Sequence, residues 1–365
     1  MKISVWEYLA EYEFEREELI RAVDDVFRSG RLILDKNVAN FEAEFSGFCG
    51  VKHGIGVANG TDALFLALKA FGIGSNDEVV TVANTAIPTV SAIVSAGAKP
   101  RFVDVEPSTF LISVEKIEKT INKNTRCILP VHLYGQCVHM DEIQRIADQY
   151  GLIVIEDCAQ AHGARYHSRR AGSMSDAAAF SFYPTKILGT YGDGGMVVTD
   201  NTEVAARLRR LRSYGVEKRY CAEEHGYNSR LDELHAAILR KKLPRLNSYI
   251  EKRRLLARRY DDYLDETSLI LPAVATNSEH AYYLYVCRHP ERDRIISELR
   301  KQEIFLNTSY RWPIHLMEGY KHLGYKIGDL PNTERICREV FSLPMFPTLS
   351  FERQDTVIRA LQELC

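Results

Sequence analysis

Lys186 stands in the stretch SFYPTKILGTYGDGG (Ser181–Gly195), among small and hydroxyl residues and ahead of a glycine cluster. Apolar, strand-like runs lead into it (Ala177–Phe182) and away from it (Met196–Thr199). A tight loop between two buried strands is an unusual place for a cation. Burial disfavours the charged ammonium and frees the amine as a nucleophile, the condition for Schiff-base chemistry with a carbonyl. A solitary lysine at a Gly-rich turn is more commonly a solvated surface group, so the chemistry stands only if other segments supply partners.

The most informative partner is Asp157, which follows the apolar run Leu152–Ile155 in the segment IEDCAQAHG (Ile155–Gly163). A carboxylate at the end of a buried strand is costly unless a cation meets it. A protonated pyridine nitrogen is such a cation, and holding it protonated makes pyridoxal 5'-phosphate an electron sink. Gln160 has the right chemistry to bond the ring's 3-oxygen, and Ala159 is small enough for a flat ring to lie against the backbone. The competing reading is an aspartate that caps the turn after its strand. Asn59, Gly60 and Thr61 form a turn that opens a helix over Asp62–Phe71. Free amides at a helix N-terminus, with a hydroxyl beside them, attract phosphate, although an ordinary N-cap is the simpler account of that turn taken alone. The stretch GIGVANG (Gly54–Gly60) has three residues before its last glycine where a dinucleotide fingerprint has two, so it argues against a NAD site.

The elements that must position these groups follow a regular alternation. Strands are expected at Glu78–Val82, Pro100–Val105, Arg126–His132 and Leu152–Ile155, separated by helices at Pro88–Ala96, Val114–Ile121 and Met140–Tyr150. That pattern predicts an α/β fold with a mostly parallel central sheet covered by helices. Ligands on such sheets bind beyond the carboxyl ends of the strands, and Gly60, His132, Asp157 and the Lys186 loop all fall at or just after expected strand ends. Two helices, Glu15–Arg28 and Val38–Phe48, precede this region. After Thr199 come helices at Glu203–Leu211, Asp232–Lys241 and Arg245–Leu264, a tyrosine-rich strand at His280–Arg288, and helices at Asp293–Gln302 and Glu352–Leu364. Residues 1–245 therefore read as a large domain with N-terminal helices, and residues 246–365 as a smaller α+β domain. Composition narrows the partners. The 365 residues are 45% hydrophobic and 26% charged with a net charge of −2, so no basic field points to nucleic acid or to an anionic membrane. The eight cysteines form no C-x-x-C pair, so no metal site is expected. With no signal-like leader or membrane-length apolar run, a cytoplasmic protein with reduced thiols is the expectation.

Five blocks together resemble the DegT-type nucleotide-sugar aminotransferases. They are Asn59–Leu64, Pro130–Gly135, Glu156–Gly163, Ser181–Lys186 and Gly226–Leu231, in order over a span from about Val26 to Phe346. The resemblance implies the aspartate-aminotransferase fold, pyridoxal-phosphate fold type I. It also implies that Lys186 anchors pyridoxal 5'-phosphate and moves the proton, with the cofactor passing through its pyridoxamine form. It pairs Asp157 with the pyridine nitrogen, puts Gln160 near the 3-oxygen, and gives the phosphate to Gly60, Thr61 and Ser181. Asn228 is similar to an asparagine that reaches the phosphate of a neighbouring subunit, which implies a homodimer with a shared site. His132 and Tyr134 stand in a block that lines the site, with core packing an equal alternative. Tyr214, Lys218, Arg219, Tyr220 and Arg230 are candidates for a sugar nucleotide's diphosphate, a solvated basic surface being the alternative. The segment Tyr310–His315 resembles the substrate-side loop, making Tyr310, Trp312 and His315 candidates for sugar or base contact.

Two departures bear on the substrate. Asn84–Thr89 lacks the aromatic residue that the family commonly stacks on the cofactor, with Ala86 in that block, and Asp35 stands where a glycine is common. The implied reaction moves an amino group from L-glutamate to a nucleotide-linked keto-sugar, a 3-keto-6-deoxyhexose on dTDP being favoured over a 4-keto one. A pyridoxamine-phosphate sugar dehydratase would have another residue, typically histidine, at Lys186. A non-catalytic cofactor-binding regulator would bind cofactor without discharging it.

Overall fold

The computed structural model describes residues 2–218 and 221–365. Seven strands form the central sheet: β1 (His53–Val57), β2 (Glu78–Val82), β3 (Lys99–Val103), β4 (Thr125–Ile128), β5 (Ile153–Asp157), β6 (Ala177–Ser181) and β7 (Gly195–Thr199). Their spatial order is β1-β7-β6-β5-β4-β2-β3. Only β7 runs antiparallel, to β1 and β6, and the other neighbours are parallel. β6 (AAAFS) and β7 (GMVVT) are buried along their whole length, which is why they read as continuous apolar runs rather than alternating ones.

Helices cover the sheet: α1 (Leu9–Ser29), α2 (Lys36–Cys49), α3 (Gly60–Ala70), α4 (Ile87–Ser95), α5 (Met140–Tyr150), α6 (Thr202–Leu211), α7 (Glu233–Lys242), α8 (Leu246–Leu264), α9 (Arg292–Lys301), α10 (Pro331–Glu339) and α11 (Phe351–Leu364). Their ends follow local chemistry. α5 buries Met140, Ile143, Ile146 and Ala147 on one face and stops at Gly151, whose φ of 62° suits a residue without a Cβ. α2 is capped from a distance. The Glu233 carboxylate accepts the backbone N–H groups of Asp35, Asn37 and Val38 at 2.8–2.9 Å, placing a negative charge at a helix N-terminus.

Two large hydrophobic clusters result. One surrounds the central sheet, with Phe41, Phe45, Phe180 and Phe182 among its larger members. The other gathers Leu256, Tyr260, Tyr285, Phe341 and Val357 together with Ile3. The N-terminal residues Ile3 and Ser4 pair in parallel with Ile304 and Phe305, so the start of the chain lies on the C-terminal unit. The strand expected at His280–Arg288 is shorter: β8 covers Tyr285–Arg288 and pairs antiparallel with β9 (Val340–Leu343). Tyr282 has φ of 50°, and Arg253 Nη1 donates to the carbonyls of Tyr282 and Tyr283 at 3.1 and 3.2 Å. Those carbonyls are bound to a guanidinium instead of a neighbouring strand.

Register brings three strand ends together. Gly195 faces Val57 on one side and Ser181 on the other, and Asp157 faces Ala179. A Cβ on Gly195 would lie 2.2 Å from the Asn59 carbonyl oxygen. Gly195→Ala is therefore expected to push the Asn59–Gly60 turn off β7 at a cost of about 1–3 kcal/mol, measured by urea unfolding. An unchanged midpoint would show that this approach is not tight.

Candidate active site

The carboxyl ends of β1, β5 and β6 carry the expected groups. α3 begins where β1 has ended: Asn59 adopts an extended conformation, and its side chain accepts the Asp62 N–H at 2.8 Å. This cap leaves the first-turn amides, Gly60 and Thr61 among them, without intrahelical acceptors. Gly60 lies against Ser181 at the end of β6, where an added Cβ would come within 2.6 Å of the serine Cβ. Only glycine lets the helix start approach that hydroxyl. Together these groups form a cradle suited to phosphate.

Asp157 ends β5 almost fully buried. Its carboxylate accepts from Thr89 Oγ1 at 2.8 Å and from the Ala159 N–H at 3.1 Å. Burial still pushes its pKa above the usual carboxylate range, against those two bonds and the Lys186 charge. A buried acid with such a deficit of positive charge fits a protonated ring nitrogen. Gln160 is held in place by its own partners: Oε1 accepts the Tyr134 N–H at 2.8 Å, and Nε2 donates to the Tyr310 hydroxyl at 2.7 Å. The Tyr134 and Tyr310 rings stack with centroids 5.9 Å apart. Tyr134, Gly135, Tyr282 and Tyr310 all have positive φ, and strained backbone of this kind gathers at functional sites. Burial raises the Tyr310 pKa, with Tyr283 and Asp157 adding to the effect, so its phenol is neutral.

Lys186 is less enclosed than a loop between buried strands implies: it is only partly buried. Its Nζ lies 4.5 Å from the centre of the Tyr283 ring, and the Tyr283 hydroxyl meets Thr185 Oγ1 at 3.1 Å. A partly open amine stays within reach of a ligand, as a sealed one would not. Thr89 and Tyr283 are the contacts the sequence did not reveal. Thr89 lies within the Asn84–Thr89 block, but nothing in its spacing ties a helix N-terminal hydroxyl to an acid 68 residues later.

Other candidates sort by location. Asn228 is exposed, while the adjacent Ser229 Oγ accepts the Ala58 N–H at 3.2 Å, two residues before Gly60. Tyr214 is half exposed with φ of 62°, and the Arg230 guanidinium sits 5.6 Å from its ring centre. Lys218 is exposed. Arg219 and Tyr220 lie outside the described residues. His315, a candidate for substrate contact, has its ring turned inward. It is buried beside Phe102 and Tyr325, and its Nε2 meets Glu334 Oε1 at 3.3 Å. His132 is likewise internal. Its Nε2 lies 2.8 Å from Glu156 Oε2, and its Nδ1 accepts the Val138 N–H. Glu156 also accepts from the Gly172 and Met174 amides and the Ser175 hydroxyl. With both of its oxygens so engaged, the cluster of His132, Glu156 and Cys158 is a hydrogen-bonded hub and carries no argument for a metal.

Comparison with known proteins agrees with this geometry. The model of the DegT/DnrJ/EryC1/StrS aminotransferase family matches residues 13–362. A dTDP-3-amino-3,4,6-trideoxy-alpha-D-glucose transaminase from Micromonospora megalomicea subsp. nigra is 54% identical, over 100% of this chain and 99% of that protein. A pleiotropic regulatory protein from Geobacillus stearothermophilus is 42% identical, over 100% and 98%. The crystal structure of S. venezuelae DesV in complex with a ketimine intermediate superposes with a TM-score of 0.98 at 41% identity, covering 100% of this chain and 98% of that one. On a match that spans nearly its whole length, the chain belongs to the DegT/DnrJ/EryC1/StrS aminotransferase family of pyridoxal-phosphate enzymes.

Proposed function

We propose that this protein moves an amino group from L-glutamate to the C-3 ketone of a dTDP-linked 6-deoxyhexose, acting in the cytoplasm as a homodimer. The observation that carries the reading is the placing of Lys186, Asp157 and the Gly60–Ser181 cradle at neighbouring strand ends, in a chain 54% identical to a transaminase of a dTDP-3-amino sugar. Pyridoxal 5'-phosphate, when bound, supplies an aldehyde that takes up the amine and a ring that stores the electron pair. The protein's own groups divide the remaining work. The Gly60 and Thr61 amides and the Ser181 hydroxyl hold the phosphate. The Asp157 carboxylate keeps the ring nitrogen protonated, a fixed charge that favours electron uptake. Lys186 Nζ would anchor the cofactor, then take the proton from the donor's α-carbon and return it to the carbon on the other side of the amine nitrogen, two atoms away, as a general base and acid.

Asn228, exposed beside its own cradle, is proposed to complete the phosphate site of the partner subunit. Tyr214 and Arg230, stacked at the surface, are proposed for the diphosphate, and Tyr310 for the sugar side. The cluster formed by Leu256, Tyr260 and Phe341 with Ile3 supports a smaller C-terminal unit that also takes in the start of the chain, and the boundary near residues 245 and 246 is part of the proposal. A second reading, a cofactor-binding regulator, is favoured by the name of the Geobacillus relative.

The test uses L-[15N]glutamate and a panel of 3-keto and 4-keto sugars on dTDP, UDP and GDP. The proposal expects 15N in the product of a 3-keto dTDP-sugar at a rate at least about tenfold above any 4-keto sugar, a preference of 1.4 kcal/mol or more. Preference for a 4-keto sugar overturns the ring position. Cofactor that stays undischarged by every donor supports the regulator.

A further inference from the structure

A cavity of about 250 Å³ adjoins the catalytic loop, bordered by Lys186, Ile187, Thr190 and Tyr191 on that loop and by Trp6, Tyr8 and Glu11 from the start of the chain, with Lys242 and Arg253 behind. Its size falls below the roughly 300–1,000 Å³ typical of sites for drug-sized ligands and suits a single amino acid.

Its charges are unbalanced. Apart from Lys186, which is proposed to hold the cofactor, two cations, Lys242 and Arg253, border it, and its one carboxylate, Glu11, is already held by Lys242 at 2.7 Å. Arg253 is 3% exposed, and its Nη1 donates only to the neutral carbonyls of Tyr282, Tyr283 and Met345. Buried guanidinium groups are ordinarily matched by an anion. Two enclosed polar atoms of the border, Arg253 Nε and Thr190 Oγ1, have no hydrogen-bond partner. Both are donors that a carboxylate would satisfy. The walls are otherwise carbon: Trp6 and Tyr8 stack at 5.4 Å, and Tyr191 meets Tyr8 edge-on. Such walls suit a methylene stem. Ile3 and Ser4, just before Trp6, are strand-paired to the C-terminal unit, which fixes this side of the cavity.

We propose that this cavity receives the side-chain carboxylate of the dicarboxylic amino donor, with Thr190 and Arg253 as its specificity-determining contacts. The assignment rests on the aminotransferase reading above and adds to it the place where a dicarboxylic donor is told from a monocarboxylic one. An apolar donor would leave the Arg253 charge and the Thr190 hydroxyl unmatched, the kind of loss that discriminates strongly.

Two readouts test it. In cofactor-free protein, glutarate, a dicarboxylate without an amine, is expected to raise the thermal midpoint, and Thr190→Val to remove most of that shift. In the holoenzyme, Thr190→Val is expected to raise the L-glutamate KM about tenfold, the worth of one hydrogen bond to a charged group, while leaving the keto-sugar KM as it was. Thr190→Ser, which keeps the hydroxyl, is expected to restore both. Absence of a glutarate shift in the wild type, or an unchanged L-glutamate KM in Thr190→Val, overturns the assignment while transamination itself continues. Failure of the donor reading looks different. L-Glutamate then discharges no cofactor whatever glutarate does, and this assignment falls with it.

Discussion

The structure depends on one electrostatic constraint: a carboxylate, Asp157, held in the dry interior at the end of a central strand. Burial alone would drive it to protonate. The fold meets that cost only in part, with the Thr89 hydroxyl, the Ala159 amide and the neighbouring Lys186 charge. The rest of the cost is left unmet, and the acid's pKa stays above the usual carboxylate range. Other candidate residues gather around this acid at neighbouring strand ends. The helix start at Gly60 lies against Ser181, Gln160 is hydrogen-bonded to Tyr134 and Tyr310, and Lys186 stands on the loop after the next strand.

Glycine and register supply the precision. Gly60 touches Ser181, and Gly195 touches Asn59, each too closely for a Cβ. β7, the one antiparallel strand of the central sheet, lies between β1 and β6 and so ties the Asn59–Gly60 turn to Ser181. The helices around this frame use longer-range charge, as when Glu233 on α7 caps α2. A second buried acid, Glu156, shows what a structural role looks like. It stands next to Asp157 in sequence, but alternation turns it to the opposite face, where His132 and backbone amides satisfy it completely. Adjacent carboxylates thus divide into one whose bonds hold loop and strand together and one whose burial is only partly offset.

Much of this was legible in the sequence, and the reasons differ by element. The parallel strands were readable because short β-branched runs such as Glu78–Val82 alternate with capped helices. The candidate site residues could be singled out because glycines, an acid and a lysine at strand ends are chemically distinctive, and the structure gathers Gly60, Ser181 and Asp157 at neighbouring strand ends. Tertiary effects were not readable. His315 lies in a block that resembles a substrate loop, yet its ring is packed among Phe102, Tyr325 and Glu334. The strand expected from His280 begins only at Tyr285 because Arg253, about 30 residues earlier, captures the intervening carbonyls. The helix at Pro331–Glu339 lacked a clear apolar stripe in its polar sequence. The cavity beside Lys186 joins Trp6 to Arg253, a contact no local pattern encodes.

The central claim is that Lys186, and no other of the chain's lysines, carries the cofactor opposite Asp157. Borohydride reduction of the holoenzyme followed by peptide mass mapping tests it most directly. The account predicts a reduced pyridoxyl adduct on Lys186, in the peptide that begins after Arg170, and on no other lysine. An adduct on a different lysine, or holoenzyme that yields none, would contradict it.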